Sequence, residues 1–517
     1  MKQVIFLLVL LGILCCFSIF RANAEDPYRY YTWVVTYGTR APLGVYQRVI
    51  LINNQFPGPP IEAVTNDNII VNVINQLDEP FLITWHGIKQ RKTSWQDGLL
   101  GTNCPIPPHS NWTYKFQLKD QIGTYMYYPS ISMHRAIGGF GAVNVNQRSV
   151  ISIPYPAFAG DFTLLIGDWY KAGDKALRKR LNSGLATPLP DGLINGLHKS
   201  SVFTGQKGKT YRFRITNVGI STSINFRIQG HSLILVEVEG SHSLQEVYES
   251  IDIHPGQSIT ALVTLRGAIK DYYIVASTRF TKPILTTTGI LRYQGSDTPP
   301  SLPLPIAPTY HVHWSMKQAR TIRLNLTANA ARPNPQGTFH YGQINIVRRL
   351  VLANAKVKIN GKLRYTVNGI SYVDPTTPLK LADWFNIPGV FSLNNIKDLP
   401  TSRPPALGVS VFDLTHHPIL ASQRIEYGGG KWTTALKKRY NLVDAISRHT
   451  VEVYPNSWTA VLVSLDNKGM WNLRSQIWSD RFLGKQTYLR VWNDEKSLYT
   501  ETDIPPNALR CGKAIHL

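Results

Sequence analysis

Short runs of apolar and β-branched residues recur along the chain, each closed by glycine, proline or asparagine. Residues 48–53, 68–74, 210–217, 233–238 and 272–277 are representative, and each predicts a short strand. Helical periodicity is weak, and 174–181 is the best short candidate. Many short strands at this spacing imply an all-β protein of Greek-key sandwiches or barrels.

Two breaks divide the pattern. One falls at 148–155, after the glycine-rich close Gly138-Gly139-Phe140-Gly141. The other is the proline-rich stretch 299–308, whose composition suits an extended linker. Residues 1–24 read as a secretory signal, with Lys2, an apolar run over 4–20 and Ala22-Asn23-Ala24 as the cleavage site. The expected units are therefore a signal at 1–24 and domains at 25–150, 151–305 and 306–517. No second long apolar stretch and no hydrophobic tail follow, so neither a transmembrane segment nor a lipid anchor is expected.

Processing would remove Cys15 and Cys16 and leave Cys104 and Cys511, either as one bridge or as two free thiols. Net charge would fall from +23 to +21 with the loss of Lys2 and Arg21. So basic a chain favours polyanionic partners. Outside the cell these are acidic polysaccharide such as pectin, or an anionic membrane surface contacted peripherally, before nucleic acid. Only short clusters concentrate the charge, at 175–180 and at Lys437-Lys438-Arg439. Spread charge also serves plain solubility. Asn111-Trp112-Thr113 and Asn325-Leu326-Thr327 fit the glycosylation pattern. Nucleophile-elbow, zinc-protease and phosphate-loop motifs are absent.

A series of motifs carries more weight together than singly. In order these are Asn53-Asn54-Gln55-Phe56-Pro57-Gly58-Pro59, Trp85-His86-Gly87, Trp95-Gln96-Asp97-Gly98, Gly123-Thr124-Tyr125 and Gly167-Asp168-Trp169-Tyr170. Asp191-Gly192-Leu193-Ile194-Asn195-Gly196, Arg332-Pro333-Asn334-Pro335-Gln336-Gly337 and Tyr440-Asn441-Leu442-Val443-Asp444-Ala445 follow. Near the end stands Gly469-Met470-Trp471-Asn472-Leu473-Arg474-Ser475-Gln476. This series resembles the plant ascorbate-oxidase and laccase superfamily of three cupredoxin-like domains. Within it the chain is most similar to the copper-deficient skewed-growth-similar or monocopper-oxidase-like group, which includes the pollen-specific L-ascorbate oxidase homologues.

The resemblance implies copper, held by imidazoles converging between the first and last domains. It also links the regions of Cys104 and Cys511. Taken position by position, most ligands are gone. Thr84 and His86 stand at the first motif, Pro129 and Ile131 at the second, and Arg474, Ser475 and Gln476 at His-Cys-His, with Asp480 at the further His. The third motif has no counterpart, and a hairpin is expected to be missing near 418–428. A divergent paralogue or a faulty gene model would both leave this gap. Without a thiolate no blue-copper centre forms. His86 reads as a residual ligand or as a strand histidine packed beside Trp85 and bonded locally. His134 could approach His86, and His311-Val312-His313 would share one face of a strand. His416 and His417 are adjacent and poorly placed to chelate together. Asp97 and Asp168 should cap backbone amides, while Trp432 beside Lys431 and Tyr488 beside Arg490 could face a polysaccharide.

The expectation is a secreted wall or apoplast protein, without catalysis and without a cofactor, copper entering only through the resemblance. The group implies a role in cell expansion or pollen-tube growth. The alternatives are a copper-dependent oxidoreductase of ascorbate-oxidase type and a defective, truncated paralogue.

Overall fold

The computed structural model describes residues 26–194, 202–328, 346, 348–393, 395–415, 423–463, 465, 467–492 and 501–517. The signal at 1–24, the 332–337 motif, the pair His416-His417 and positions 418–422 of the 418–428 gap lie outside the described residues.

Alternating burial sets the first sandwich. In Asn68–Asn75 the side chains of Ile69, Val71 and Val73 point inward and their neighbours outward. That strand pairs parallel with Tyr28–Arg40 and antiparallel with Asn111–Gln117, while Gln47–Ile52 closes the sheet. The facing sheet runs Ile61–Val64, Gly141–Asn146, Gly123–Pro129, Ile83–His86. Between them Trp33 lies 4.5 Å from Tyr127 and 5.7 Å from Trp85, ring centre to ring centre. Such tilted pairs add packing energy to the area they bury.

The second sandwich is built from Asp161–Trp169, Thr210–Asn217, Ser258–Thr264 and Leu233–Val238 on one side. Thr286–Tyr293, Asp271–Thr278 and Ile224–Ile228 form the other. The strands expected over 210–217 and 233–238 match the observed ones residue for residue. The other expected strands are off by a residue or so at their ends, and 174–181 is the core of the helix Gly173–Asn182.

The third unit is more broken. Its described strands form a four-stranded sheet, a three-stranded sheet of Val411–Asp413, Gln486–Val491 and Gly469–Arg474, and a separate ribbon of Gln423–Gly429 with Ser457–Leu462. Val453 is 55% exposed and Val463 48%, just outside the two ends of Ser457–Leu462. One expectation is overturned here. His311-Val312-His313 opens the helix Val312–Thr321 instead of lying along a strand, so its imidazoles do not share a face.

Cys104 and Cys511 are disulfide-bonded, with Cα atoms 5.9 Å apart. The bridge ties the first sandwich to the C-terminal end. Asn111 is exposed on its strand, and Asn325 is half-buried with its side chain turned to Thr327.

Candidate functional site

All three units meet around the ends of Ile83–His86, Gly123–Pro129 and Gly469–Arg474. His86 sits at the end of its strand and is buried. Its Nε2 lies 3.0 Å from the Gly256 carbonyl of the second unit and 3.0 Å from Thr450 Oγ1 of the third. A carbonyl only accepts, so Nε2 carries the proton. This histidine therefore bonds across units, where the sequence suggested a local bond.

Facing its other nitrogen is Tyr128, whose Oη lies 3.5 Å from His86 Nδ1. The same hydroxyl accepts from Arg474 Nη2 at 3.1 Å and lies 3.3 Å from Gln476 Oε1. Arg135, 1% exposed, stacks on the Tyr128 ring at 4.0 Å. It donates to Gln476 Oε1 at 3.2 Å, and to the carbonyls of Val218 and Gly219 at 3.3 and 2.9 Å. Trp478 completes the seam, its amide donating to Ile220 at 2.6 Å and its indole to Ser132 at 2.7 Å.

Charge at this junction comes from guanidinium. Burial pushes the Tyr128 phenol up, but Arg474 and Arg135 together outweigh it and leave its pKa below the usual 10. Burial, then the neighbouring His449 ring and the charges of Arg474 and Arg135, hold His86 far below 6.5. Burial pushes Asp97 up to about 6, against the pull of Arg474.

His449 is the neighbour that sequence reasoning missed. Its ring stands perpendicular to His86 with centroids 4.6 Å apart. Burial, then Arg448 and Arg474, lower its pKa to about 3, so both rings are neutral. Glu239 of the second unit, its side chain fully buried, fixes the segment: its Oε2 accepts from the amides of His449 and Thr450 at 2.7 and 3.0 Å. Gly87, at φ +89°, leaves the space, since a β-carbon there would meet His449 at 2.5 Å.

Family models for multicopper oxidases match residues 34–150, 160–296 and 419–497. The chain belongs to the multicopper oxidase family. An L-ascorbate oxidase homolog from Brassica napus is 50% identical over 520 residues, covering 95% of this chain and 94% of its own. The monocopper oxidase-like protein SKU5 of Arabidopsis thaliana is 45% identical, covering 99% and 93%. The L-ascorbate oxidase of Cucumis sativus is 28% identical, covering 98% and 95%. Among solved structures a laccase from Botrytis aclada superposes with a TM-score of 0.67 at 22% identity, over 90% of this chain and 88% of that one. Fet3p, a multicopper oxidase that functions in iron import, gives 0.66 at 20%, over 90% of each. These two share the cupredoxin-like fold.

Copper is what multicopper oxidase family membership implies, and the junction residues do not fit it. Copper sites are built from imidazole and soft sulfur donors. Here Arg474 and Gln476 stand at two of the positions taken for imidazoles, and the only two described cysteines are bonded to each other. Buried guanidinium repels a metal cation as it repels a proton on His86. Ser475 donates its amide to the Lys485 carbonyl at 3.1 Å, and Asp480 pairs with the Lys485 ammonium at 3.3 Å, away from His86.

Other expected positions separate in space. Thr84 is buried in the ladder opposite Tyr128. Pro129 pairs with Ile83, and Ile131 packs on the first core. Tyr128 is the residue of this strand that reaches the junction, because neighbours along a strand face opposite ways. His134 does not approach His86; it lies 3.7 Å from Glu79 and stacks on Phe81. Asp168 caps the amides of Ser221 and Thr222 as expected, whereas Asp97 is buried and feels the charge of Arg474. Tyr488 is fully buried and its hydroxyl accepts from the Gly101 amide, so it cannot face a polysaccharide. Among the described residues the exposed rings are instead Tyr28, Tyr30, Tyr46 and Tyr310.

Proposed function

We propose that this protein is a secreted, glycosylated wall or apoplast protein in which the family's metal junction has become a structural tie. It acts without copper turnover, by binding acidic wall polysaccharide during cell expansion or pollen-tube growth. The observation that carries this reading is the Arg474–Tyr128–Arg135–Gln476 network, which joins the three units where the resemblance calls for converging imidazoles. The basic surface supports an anionic partner. The relatives' names, ascorbate oxidase homolog and monocopper oxidase-like protein, agree with a group set apart from the oxidases.

A copper-dependent oxidoreductase of ascorbate-oxidase type is the second reading. Family membership favours it, as does His449 Nε2, buried without a hydrogen-bond partner beside His86. Metal analysis of the purified secreted protein, with an ascorbate and phenol turnover assay, separates the two. The tie predicts far less than one copper per chain and no intense blue band. Stoichiometric copper with that band, or steady turnover, overturns it.

A further inference from the structure

The third unit carries a cationic surface that none of the junction chemistry uses. Lys431-Trp432 and Lys437-Lys438-Arg439 are separate in sequence, and the fold brings them together. Trp432 Nε1 donates to Tyr440 Oη at 2.8 Å, which folds the 3₁₀ turn Thr434–Arg439 back beside the indole. The guanidinium of Arg349 lies over the Trp432 ring at 5.1 Å. Arg349, Lys431, Lys437, Lys438 and Arg439 are all exposed.

No carboxylate among the described residues neutralises these five cations. The acids nearest in sequence are committed elsewhere: Glu426 to Arg320 at 3.7 Å, and Asp444 to Arg323 at 3.4 Å. Elsewhere the basic side chains are often answered, as Arg490 is by Asp383 and Asp413. A turn with no buried residue, carrying cations that no described carboxylate answers, is a surface for a polyanionic chain.

We infer that this patch is the docking site for a polyuronate, the de-esterified form of an acidic polysaccharide. The inference rests on the wall-polysaccharide reading above and gives it a location. Arg349 and Arg439 offer planar forks that match carboxylates, and the lysines offer mobile point charges. The half-buried indole gives a ring edge for the apolar face of a sugar. A membrane surface fits less well. None of the large exposed apolar side chains falls between Lys431 and Tyr440, and interfacial binding needs apolar insertion as well as charge.

The test uses the full secreted chain. Retention on immobilised de-esterified and methyl-esterified galacturonan is measured over a salt series. The patch variant K437A/K438A/R439A is compared with K207A/K209A/K317A, which removes the same charge from exposed lysines elsewhere. Because the substituted side chains are exposed, both variants should keep the parent thermal transition, and K437R/K438R should retain binding. The patch variant should lose about tenfold in affinity for the de-esterified polymer, about 1.4 kcal/mol, with a flatter salt dependence. The control variant should lose far less. Equal losses in the two variants would overturn the patch and leave the wall-binding reading standing as diffuse charge. Failure of the parent protein to bind either polymer removes the wall-binding reading itself. A patch variant that loses phosphatidylserine vesicles but keeps galacturonan would assign the surface to lipid and overturn the inference.

Discussion

Glu239→Gln tests the junction through its pH dependence. Glu239 is fully buried between the second and third units; its Oε2 accepts two amides, and its Oε1, 4.0 Å from Arg448, has no hydrogen-bond partner. Burial pushes its pKa from 4.5 up to about 8, with Arg448 and the two amides pulling the other way. The folded-state pKa exceeds the unfolded one, so the folded chain holds the proton more tightly. The stabilisation is fully present below pH 4.5 and is lost as pH rises through 8. At about 1.36 kcal/mol per unit, the full shift corresponds to about 5 kcal/mol, of which about 4 falls between pH 5 and 9. Glutamine keeps the acceptor for both amides, places N–H where the proton sits, and does not titrate. Urea unfolding at pH 5, 7 and 9, with the denaturant slope held common, measures the difference. The variant should match the parent near pH 5 and exceed it by several kcal/mol at pH 9. A gap that is the same at every pH, or a variant that loses most at high pH, would show that Glu239 is ionised in the folded protein and refute the reasoning.

Cys511→Ser should lower stability by up to about 5 kcal/mol, because the bridge closes a loop spanning 407 positions; a thermal shift with and without reductant measures it. Arg474→Met should raise the Tyr128 pKa above its parent value, since burial is then opposed mainly by Arg135; a phenolate absorbance titration against Tyr128→Phe reads it. The same variant should cost about 1–3 kcal/mol, through the lost bond to Tyr128 and the charge withdrawn from Asp97. His449→Gln should resist acid better than the parent. A buried ring held at about 3 favours the folded state above pH 6.5 and loses that contribution as pH falls toward 3, which acid-unfolding midpoints check.

The fold was readable because alternation and turn residues are local signals. Leu233–Val238 is a short apolar run closed by Glu239-Gly240, and Gly123-Thr124-Tyr125 sits in its family context. Junction chemistry is less local. The resemblance calls for imidazoles where Arg474 and Gln476 stand, but the bonds of these two residues to Tyr128 and Arg135 cross about 340 residues. His449 carries no motif, and only Glu239 and the space above Gly87 place it against His86. The second-motif positions show how finely a strand must be placed, since one residue separates the ladder-bound Pro129 from Tyr128 at the junction. Tyr488 misled because a neighbouring arginine in sequence says nothing about which face of a strand is buried.

The junction also bears on whether one added imidazole would create a metal site. Arg474→His would restore one imidazole beside His86 and remove one guanidinium. Arg135 would remain, 1% exposed, its charge held by the carbonyls of Val218 and Gly219 and by Gln476. A cation entering that space would meet a desolvated positive charge, and buried like charges are costly at short range. Removing Arg135 as well would free carbonyls that its side chain now satisfies, and would loosen the contact between the first and second units. Gln476 would then lose a donor, and Tyr128 its stacking partner. Each residue of the network is therefore tolerated because the others are present, which is the behaviour of a coupled polar cluster and not of independent substitutions. The same coupling makes the three-unit arrangement depend on side chains that the chain itself encodes, Arg135 and Tyr128 of the first unit with Arg474 and Gln476 of the third.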